Sequence, residues 1–264
     1  MSGEDTSFAR KLRMRRLHRH RSDRLFVVPL DHTVTQGPIT GAGGLALLIH
    51  DLGKNGVDAV VLHKGILRHI GADRFIDTSL IVHLSASTAH APDPNAKYLV
   101  TSVEEALRLG ADAVSVHVNL GSAQEPQQIT DLARVAEACD HWNLPLLAMM
   151  YVRGPEIKDP YSVELIAHAA GLAADLGVDV VKAPYPGSAA EMAEVVKVCP
   201  VPLLVVGGPY TPNTDSLVSS VEDALTGGAI GAAVGRNIFQ SPDPGAVAAR
   251  LATRIHHGDD AGGW

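Results

Sequence analysis

A chain of 264 residues can bury a sizeable core, and its length alone permits one large α/β domain or two small ones. Hydrophobic residues make up 46% and aromatics only 4%, so the core must be Ala, Val, Leu and Ile, which suits a parallel α/β fold over an aromatic-rich β-sandwich. Only Cys139 and Cys199 are present, no apolar run approaches the ~20 residues of a membrane span, and the N-terminus lacks an apolar signal segment, so a cytoplasmic protein with no disulfide framework is expected.

The net charge of −7 is unevenly spread: residues 1–24 hold eight Lys/Arg against three Asp/Glu, a local +5 that leaves −12 for the rest. Leu12, Met14 and Leu17 recur at helical spacing, and Phe8 is the one aromatic nearby. The segment therefore predicts an amphipathic helix that covers the floor of the domain or meets a partner subunit. An acidic remainder argues against nucleic acid as a substrate.

From there the chain repeats one unit: a buried apolar strand, a polar or Gly-rich turn, then an Ala/Leu-rich helix. Expected strands are Leu25–Leu30, Ala59–His63, Leu80–Leu84, Ala113–Val118, Leu146–Met150, Val178–Val181, Pro202–Val206 and Gly231–Val234. Expected helices include Ser102–Leu109, Pro126–Trp142, Tyr161–Leu176, Ala189–Val198, Thr214–Thr226 and Pro244–His257. Strands begin about every 30 residues, the length of a βα unit. Gly56, Gly110, Gly177 and Gly228 each close a helix just before a strand. Eight such units without a long gap predict a (β/α)₈ TIM barrel over residues 25–258, with a basic helical extension at 1–24 and a flexible tail at 259–264. A doubly wound sheet is the alternative, but its Gly-x-Gly-x-x-Gly fingerprint does not follow the first strand.

A barrel collects its chemistry at the C-terminal ends of its strands, and here those ends are polar. They offer Asp31 and His32, then His63 and Lys64, His83, His117 and Asn119, Tyr151 and Arg153, Lys182, the pair Gly207 and Gly208, and finally Gly235, Arg236 and Asn237. Taken alone, Lys182 reads as a side chain reaching from a strand end to solvent. Set beside Tyr151 and Asp31 it reads as a nucleophile, because desolvation favours the neutral amine that attacks a ketone, and a phenol and a carboxylate can move the protons. Lys64 is the competing amine. Gly207, Gly208, Gly235 and Arg236 fall in the last two loops, the usual phosphate pocket of such barrels. His63, His83 and His117 raise a zinc-site rival, but they lack short ligand spacing and an accompanying carboxylate, so hydrogen-bonded core histidines are expected and no metal.

With these residues in view, the chain resembles the DeoC/LacD-type class I aldolases, specifically the branch of archaeal-type fructose-bisphosphate aldolases and 2-amino-3,7-dideoxy-D-threo-hept-6-ulosonate synthases. The matching stretches are Pro29–His32, Val61–Gly65, His83–Ser85, Val114–Asn119, Leu147–Tyr151, Asp179–Lys182, Gly207–Pro209 and Val234–Phe239. The resemblance implies that Lys182 forms a Schiff base, Tyr151 is the acid/base and Asp31 assists. It also implies that Gly207, Gly208, Gly235 and Arg236 bind phosphate, that His32, His63, Lys64 and His117 are further substrate contacts, and that no cofactor is needed. A phosphorylated ketose or triose donor, an aldehyde acceptor and a ring-like homo-oligomer, often a decamer, are implied too, with neither nucleic acid nor membrane as a partner.

Branches of the family differ in substrate. The segments Arg13–His20 and His90–Asn95 look most like the branch that condenses dihydroxyacetone phosphate with aspartate 4-semialdehyde toward 3-amino-4-hydroxybenzoate. The ulosonate transaldolase, fructose-bisphosphate cleavage and thiolase-type acetyl transfer are the alternatives, and a sugar-phosphate-binding barrel without turnover is a further one. A departure from the family pattern is Ala183–Pro186 after the lysine, where relatives often carry a small polar residue and Thr or Ser.

Overall fold

Short runs of β-branched and aliphatic residues, buried on both faces, are what a parallel barrel requires, and eight of them pair here in chain order. The computed structural model describes residues 7–20, 22–39 and 44–257. Its strands are β1 Leu25–Pro29, β2 Ala59–Leu62, β3 Ser79–His83, β4 Ala113–Leu120, β5 Leu146–Val152, β6 Val180–Ala183, β7 Leu203–Val206 and β8 Gly231–Ala233. All pairs within the barrel are parallel, and β8 returns to β1 through Leu25–Gly231, Phe26–Ala232 and Val27–Ala233 to close it, while Ser85–Ala86 and Tyr98–Leu99 form a small antiparallel ribbon outside it. Helices such as Glu125–Trp142, Val163–Asp175, Ala189–Val198, Thr214–Thr226 and Pro244–His257 wrap the outside.

The period of two along each strand divides the core into two parts. Phe26, Val28, Val60, Leu62, Val114, Val116, Val181 and Val205 face the helices. Leu25, Val27, Ala59, Val61, Ile81, Leu147, Met149, Val180, Leu204 and Ala233 fill the barrel interior. Helix ends follow the local chemistry. Ser102 and Ser188 accept hydrogen bonds from the N–H groups of Glu105 and Glu191 at two N-termini. Gly56, Gly110, Gly177 and Gly228 all take positive φ, as their place between helix and strand predicted.

The basic N-terminal segment closes the barrel floor. Helix Phe8–Leu17 sets Leu17 against the interior residues Leu25, Val27 and Ile81, with Met14 beside it. The Arg10 guanidinium is buried and holds the Asp179 carboxylate through two bonds of 2.7 Å. Arg13 donates to the Trp142 and Asn143 carbonyls, and Arg19 to Ser79 Oγ. Asp58, fully buried, accepts from the N–H groups of Arg19, His20 and Phe26. Much of the positive charge that stood out in the sequence is thus consumed in fastening the plug.

Two details differ from the sequence reading. After β2 the chain makes two 3₁₀ turns, Lys64–His69 and Ala72–Phe75, where a full helix completes most other units. β6 runs Val180–Ala183 instead of Val178–Val181, and the Asp179 carboxylate just ahead of it is engaged by Arg10 and by the Leu146 N–H at 2.7 Å. Lys182 is the penultimate residue, at the C-terminal end of the strand as expected. The tail expected at 259–264 lies outside the described residues. Among the described residues no helix is long and apolar enough to cross a membrane.

Candidate active site

The same alternation that fills the barrel interior decides which side chains rise above it. On β6, Val180 points inward and Val181 outward, so Lys182 points inward and is only 5% exposed. On β5, Leu147 and Met149 point inward and Tyr151 follows on the same face. Register pairs Met149 with Lys182, which sets Tyr151 one rung above the lysine on the neighbouring strand. The one hydrogen-bond partner of the Lys182 ammonium within the described residues is Met149 Sδ at 3.7 Å, a weak acceptor.

A cavity of about 250 Å³ opens over these groups, lined by Lys182, Tyr151, Arg153, His32, Gly207, Gly208, Gly235 and Arg236, with Pro160 and Tyr161 at the rim. The glycines are there for room and conformation. Gly208 has φ +68°, and a Cβ at Gly235 would lie 2.8 Å from the Pro29 carbonyl oxygen. Asn237 fixes the two loops to each other: its amide donates to the Gly207 and Pro209 carbonyls at 2.7 and 2.9 Å and accepts from Thr211 N–H at 2.7 Å.

Asp31 sits behind His32, just past β1. Its oxygens lie 3.7 Å from His32 Nδ1 and 3.8 Å from His83 Nε2, both too long for hydrogen bonds. Asp31 Oδ1 and His32 Nδ1 are buried without a protein hydrogen-bond partner. Burial alone would push the Asp31 carboxyl up, but His83, His32, Lys182 and His63 outweigh it and hold it well below the usual carboxylate range. His83 is pushed down to about 4, chiefly by burial, against the attraction of Asp31. Burial, with Lys182 and Arg236 acting the same way, also lowers His32. The centre thus combines an ionised carboxylate with neutral imidazoles at pH 7.

The remaining expected residues divide. His117 stacks on Tyr151 at 4.9 Å and bonds Asn119 Oδ1 at 3.0 Å; burial first, then Lys97 and Arg153, drives it well below its usual value. His63 packs edge-on against His83 at 5.3 Å and lines a separate apolar pocket with Leu30, Ile39 and Ile66. Lys64 is a correction: its ammonium turns away from the cavity to Glu105 at 2.8 Å, because the 3₁₀ turn that begins there redirects the chain. His63, His83 and His117 do not gather into a ligand set. Among the described residues the grouping with ligand geometry is His20, Asp58 and His256 on the floor. Sequence reasoning missed Lys97, which is 9% exposed and donates to Ser87 Oγ, and it gave Asn237 no role. Lys97 lies on a loop between β3 and β4, where no periodicity announces a direction.

A parallel (β/α)₈ barrel with a buried, weakly bonded lysine, a facing tyrosine and a glycine-lined cavity defines a lyase of the Schiff-base kind. Residues 25–241 match the model of the DeoC/LacD family aldolases. The 2-amino-4,5-dihydroxy-6-oxo-7-(phosphonooxy)heptanoate synthase of Streptomyces griseus is 60% identical over 255 residues, covering 97% of this chain and 93% of that protein. The 2-amino-3,7-dideoxy-D-threo-hept-6-ulosonate synthase 1 of Archaeoglobus fulgidus is 42% identical over 236 residues, covering 89% and 87%. Among solved structures, a Schiff-base-forming fructose-1,6-bisphosphate aldolase superposes with a TM-score of 0.85 at 30% identity, covering 94% of this chain and 99% of that one. The chain belongs to the DeoC/LacD aldolase family and is a class I aldolase.

Proposed function

We propose that this enzyme condenses dihydroxyacetone phosphate with aspartate 4-semialdehyde to give 2-amino-4,5-dihydroxy-6-oxo-7-(phosphonooxy)heptanoate. The observation that carries the reading is the buried Lys182 in a cavity whose other end is the Gly207, Gly208, Gly235 and Arg236 cradle. The 60% identity to the Streptomyces griseus synthase supports this donor and acceptor over the ulosonate and fructose-bisphosphate branches.

In this mechanism the donor phosphate occupies the β7 and β8 loops, taking backbone N–H bonds and the Arg236 charge. Lys182 Nζ attacks the donor C2 carbonyl to give a carbinolamine, and Tyr151 protonates the departing hydroxyl as water leaves and the iminium forms. Tyr151 then takes the C3 proton, and the electrons pass into the iminium to give an enamine. Enamine C3 attacks the aldehyde carbon, the new alkoxide takes that proton back, and water releases the product from Lys182. No atom of either substrate is lost, so no cofactor is required. Asp31 Oδ1, unpartnered and ionised, accepts a bond from a substrate hydroxyl, with His32 beside it.

Borohydride reduction in the presence of dihydroxyacetone phosphate, read by intact and peptide mass, is expected to fix the donor on Lys182. A panel of aspartate 4-semialdehyde, the ulosonate donor and fructose 1,6-bisphosphate is expected to give turnover first with the semialdehyde. An adduct on another lysine, or preferred cleavage of fructose bisphosphate, would overturn the assignment. The same reading has the enzyme acting in the cytoplasm as a ring-like homo-oligomer, which native mass spectrometry measures.

A further inference from the structure

Lys97 is unexplained by the chemistry so far. A lysine more than nine-tenths buried is costly unless an anion compensates it, and its Nζ meets only the Ser87 hydroxyl within the described residues, with no carboxylate within 4.0 Å. Arg10, comparably buried on the floor, holds a carboxylate in a two-bond fork. The loop that carries Lys97 is held rigidly: Ser87 Oγ donates to the Pro94 carbonyl, and Asn119 and Gln128 donate to the Asn95 carbonyl at 2.9 and 3.0 Å. Asn119 Oδ1 also accepts from His117 Nε2, so the loop, β4 and the Tyr151 stack form one connected unit.

A second cation stands in the same quarter. The Arg153 guanidinium lies over the Tyr151 ring at 4.1 Å, lines the cavity, and forms no ion pair among the described residues. The two cations are near enough to act on each other: burial first, then Arg153, pushes Lys97 below its usual value, and both push His117 down. Strand order puts β3, β4 and β5 across the barrel from β7, β8 and β1, so the loop that carries Lys97 and the end of β5 that carries Arg153 stand across the mouth from the glycine cradle, and Arg153 lines the cavity with Lys182 and Tyr151.

We propose that Lys97, with Arg153, is the recognition site for the anionic end of the aldehyde acceptor, and that it sets which acceptors the enzyme takes. This rests on the aldol reading above and deepens it. In aspartate 4-semialdehyde the carboxylate carbon is three C–C bonds from the aldehyde carbon, about 4 Å away. Arg153, 4.1 Å from the Tyr151 ring centroid, is within reach of such a span from a carbon reacting beside Tyr151. Asp31 and Asp93 act on Lys97 only at a distance, so a carboxylate there supplies the direct ion-pair partner that Lys97 does not have among the described residues, and its arrival orients the aldehyde toward the enamine. A phosphate on the acceptor offers the same chemistry, so the test separates the two sources.

The full-length enzyme and its Lys97→Met, Lys97→Arg and Arg153→Gln variants are assayed with dihydroxyacetone phosphate and four acceptors. These are aspartate 4-semialdehyde and butanal, as a charged and uncharged pair, and glyceraldehyde 3-phosphate and glyceraldehyde, as a second pair. Solvent deuterium exchange into the donor C3 reports enamine formation without any acceptor. Lys97→Met is expected to cut kcat/KM for the semialdehyde about 10- to 100-fold more than for butanal, mainly through KM, while donor exchange persists. Lys97→Arg is expected to recover much of the loss, and Arg153→Gln to give a smaller loss of the same pattern. Equal losses with charged and uncharged acceptors, or loss of donor exchange in a folded variant, would overturn the inference. If the wild type prefers glyceraldehyde 3-phosphate and Lys97→Met spoils that preference, the anion site stands and the proposed acceptor falls. Should Lys97→Met not fold, Lys97→Arg and Arg153→Gln still decide through their charged-to-uncharged ratios.

Discussion

The two ends of this barrel are made from the same eight strands and treat charge in opposite ways. On the floor, Arg10 has Asp179 and Asp58 has three backbone N–H groups. At the mouth, Lys182 has a thioether, Asp31 Oδ1 and His32 Nδ1 have no protein partner, and Lys97 has one hydroxyl. A satisfied buried charge holds the fold, whereas an unsatisfied one is stability withheld from the fold and kept for a ligand. The difference teaches which polar groups to read as structure and which as chemistry, more directly than residue type does.

The sharpest way to break that comparison is Lys182→Met. Turnover is expected to fall about a thousandfold or more, with no borohydride adduct. The melting temperature should stay within about 2–4 °C of the wild type, because relief of the buried ammonium is offset by the attraction that Asp31 loses. A clear loss of stability would mean that the lysine is structural. Asp179→Asn on the floor should do the reverse. It breaks the buried fork and leaves Arg10 the exposed Asp140 carboxylate at 3.3 Å, at a cost of about 3 kcal/mol in denaturant titration, while the folded fraction keeps its kcat.

Asn237→Ala unfastens the β7 and β8 loops and should raise KM for dihydroxyacetone phosphate roughly tenfold, with kcat changing less. Acid melting sharpens the picture further. His83 is held at about 4 in the fold, below its unfolded value near 6.5, so the unfolded chain binds the extra proton first. Its contribution to stability is complete above about pH 6.5 and is lost as pH falls toward 4. His83→Gln should flatten the slope of melting temperature over that interval, and an unchanged slope would assign the titration elsewhere. The smallest effect belongs to Lys64→Ala. A half-exposed pair with Glu105 is worth about 0–1 kcal/mol, and kcat/KM should stay within about twofold.

Much of this was legible in the sequence because strand periodicity carries direction as well as burial. Once Val180 is known to face inward, Lys182 must as well, and the strand-end rule brings Tyr151, Asp31 and the last two glycine loops to the same mouth. The four capping glycines gave the unit boundaries. Lys97 was not legible, since its loop owes its path to bonds from Asn119 and Gln128 on other elements. Lys64 was misread for the complementary reason: one residue past a strand end, a 3₁₀ turn decides where a side chain goes. Nor was the bond legible that runs from the Asp179 carboxylate, just ahead of β6, to a helix 169 positions upstream, a partner that no local pattern discloses.

That last bond has a consequence for how the chain assembles. Arg10 and Asp179 are separated by 169 positions, so their buried fork forms only after β6 has been made, whereas Leu17 and Arg19 of the same segment meet Leu25, Val27, Asp58 and Ser79 from the first three strand units. The base can seat on the first staves and is locked only by the sixth. Late locking of the helix Phe8–Leu17 is therefore built into the sequence order. Removing Arg10 would take that lock from the floor, at the opposite end of the barrel from Lys182 and Tyr151.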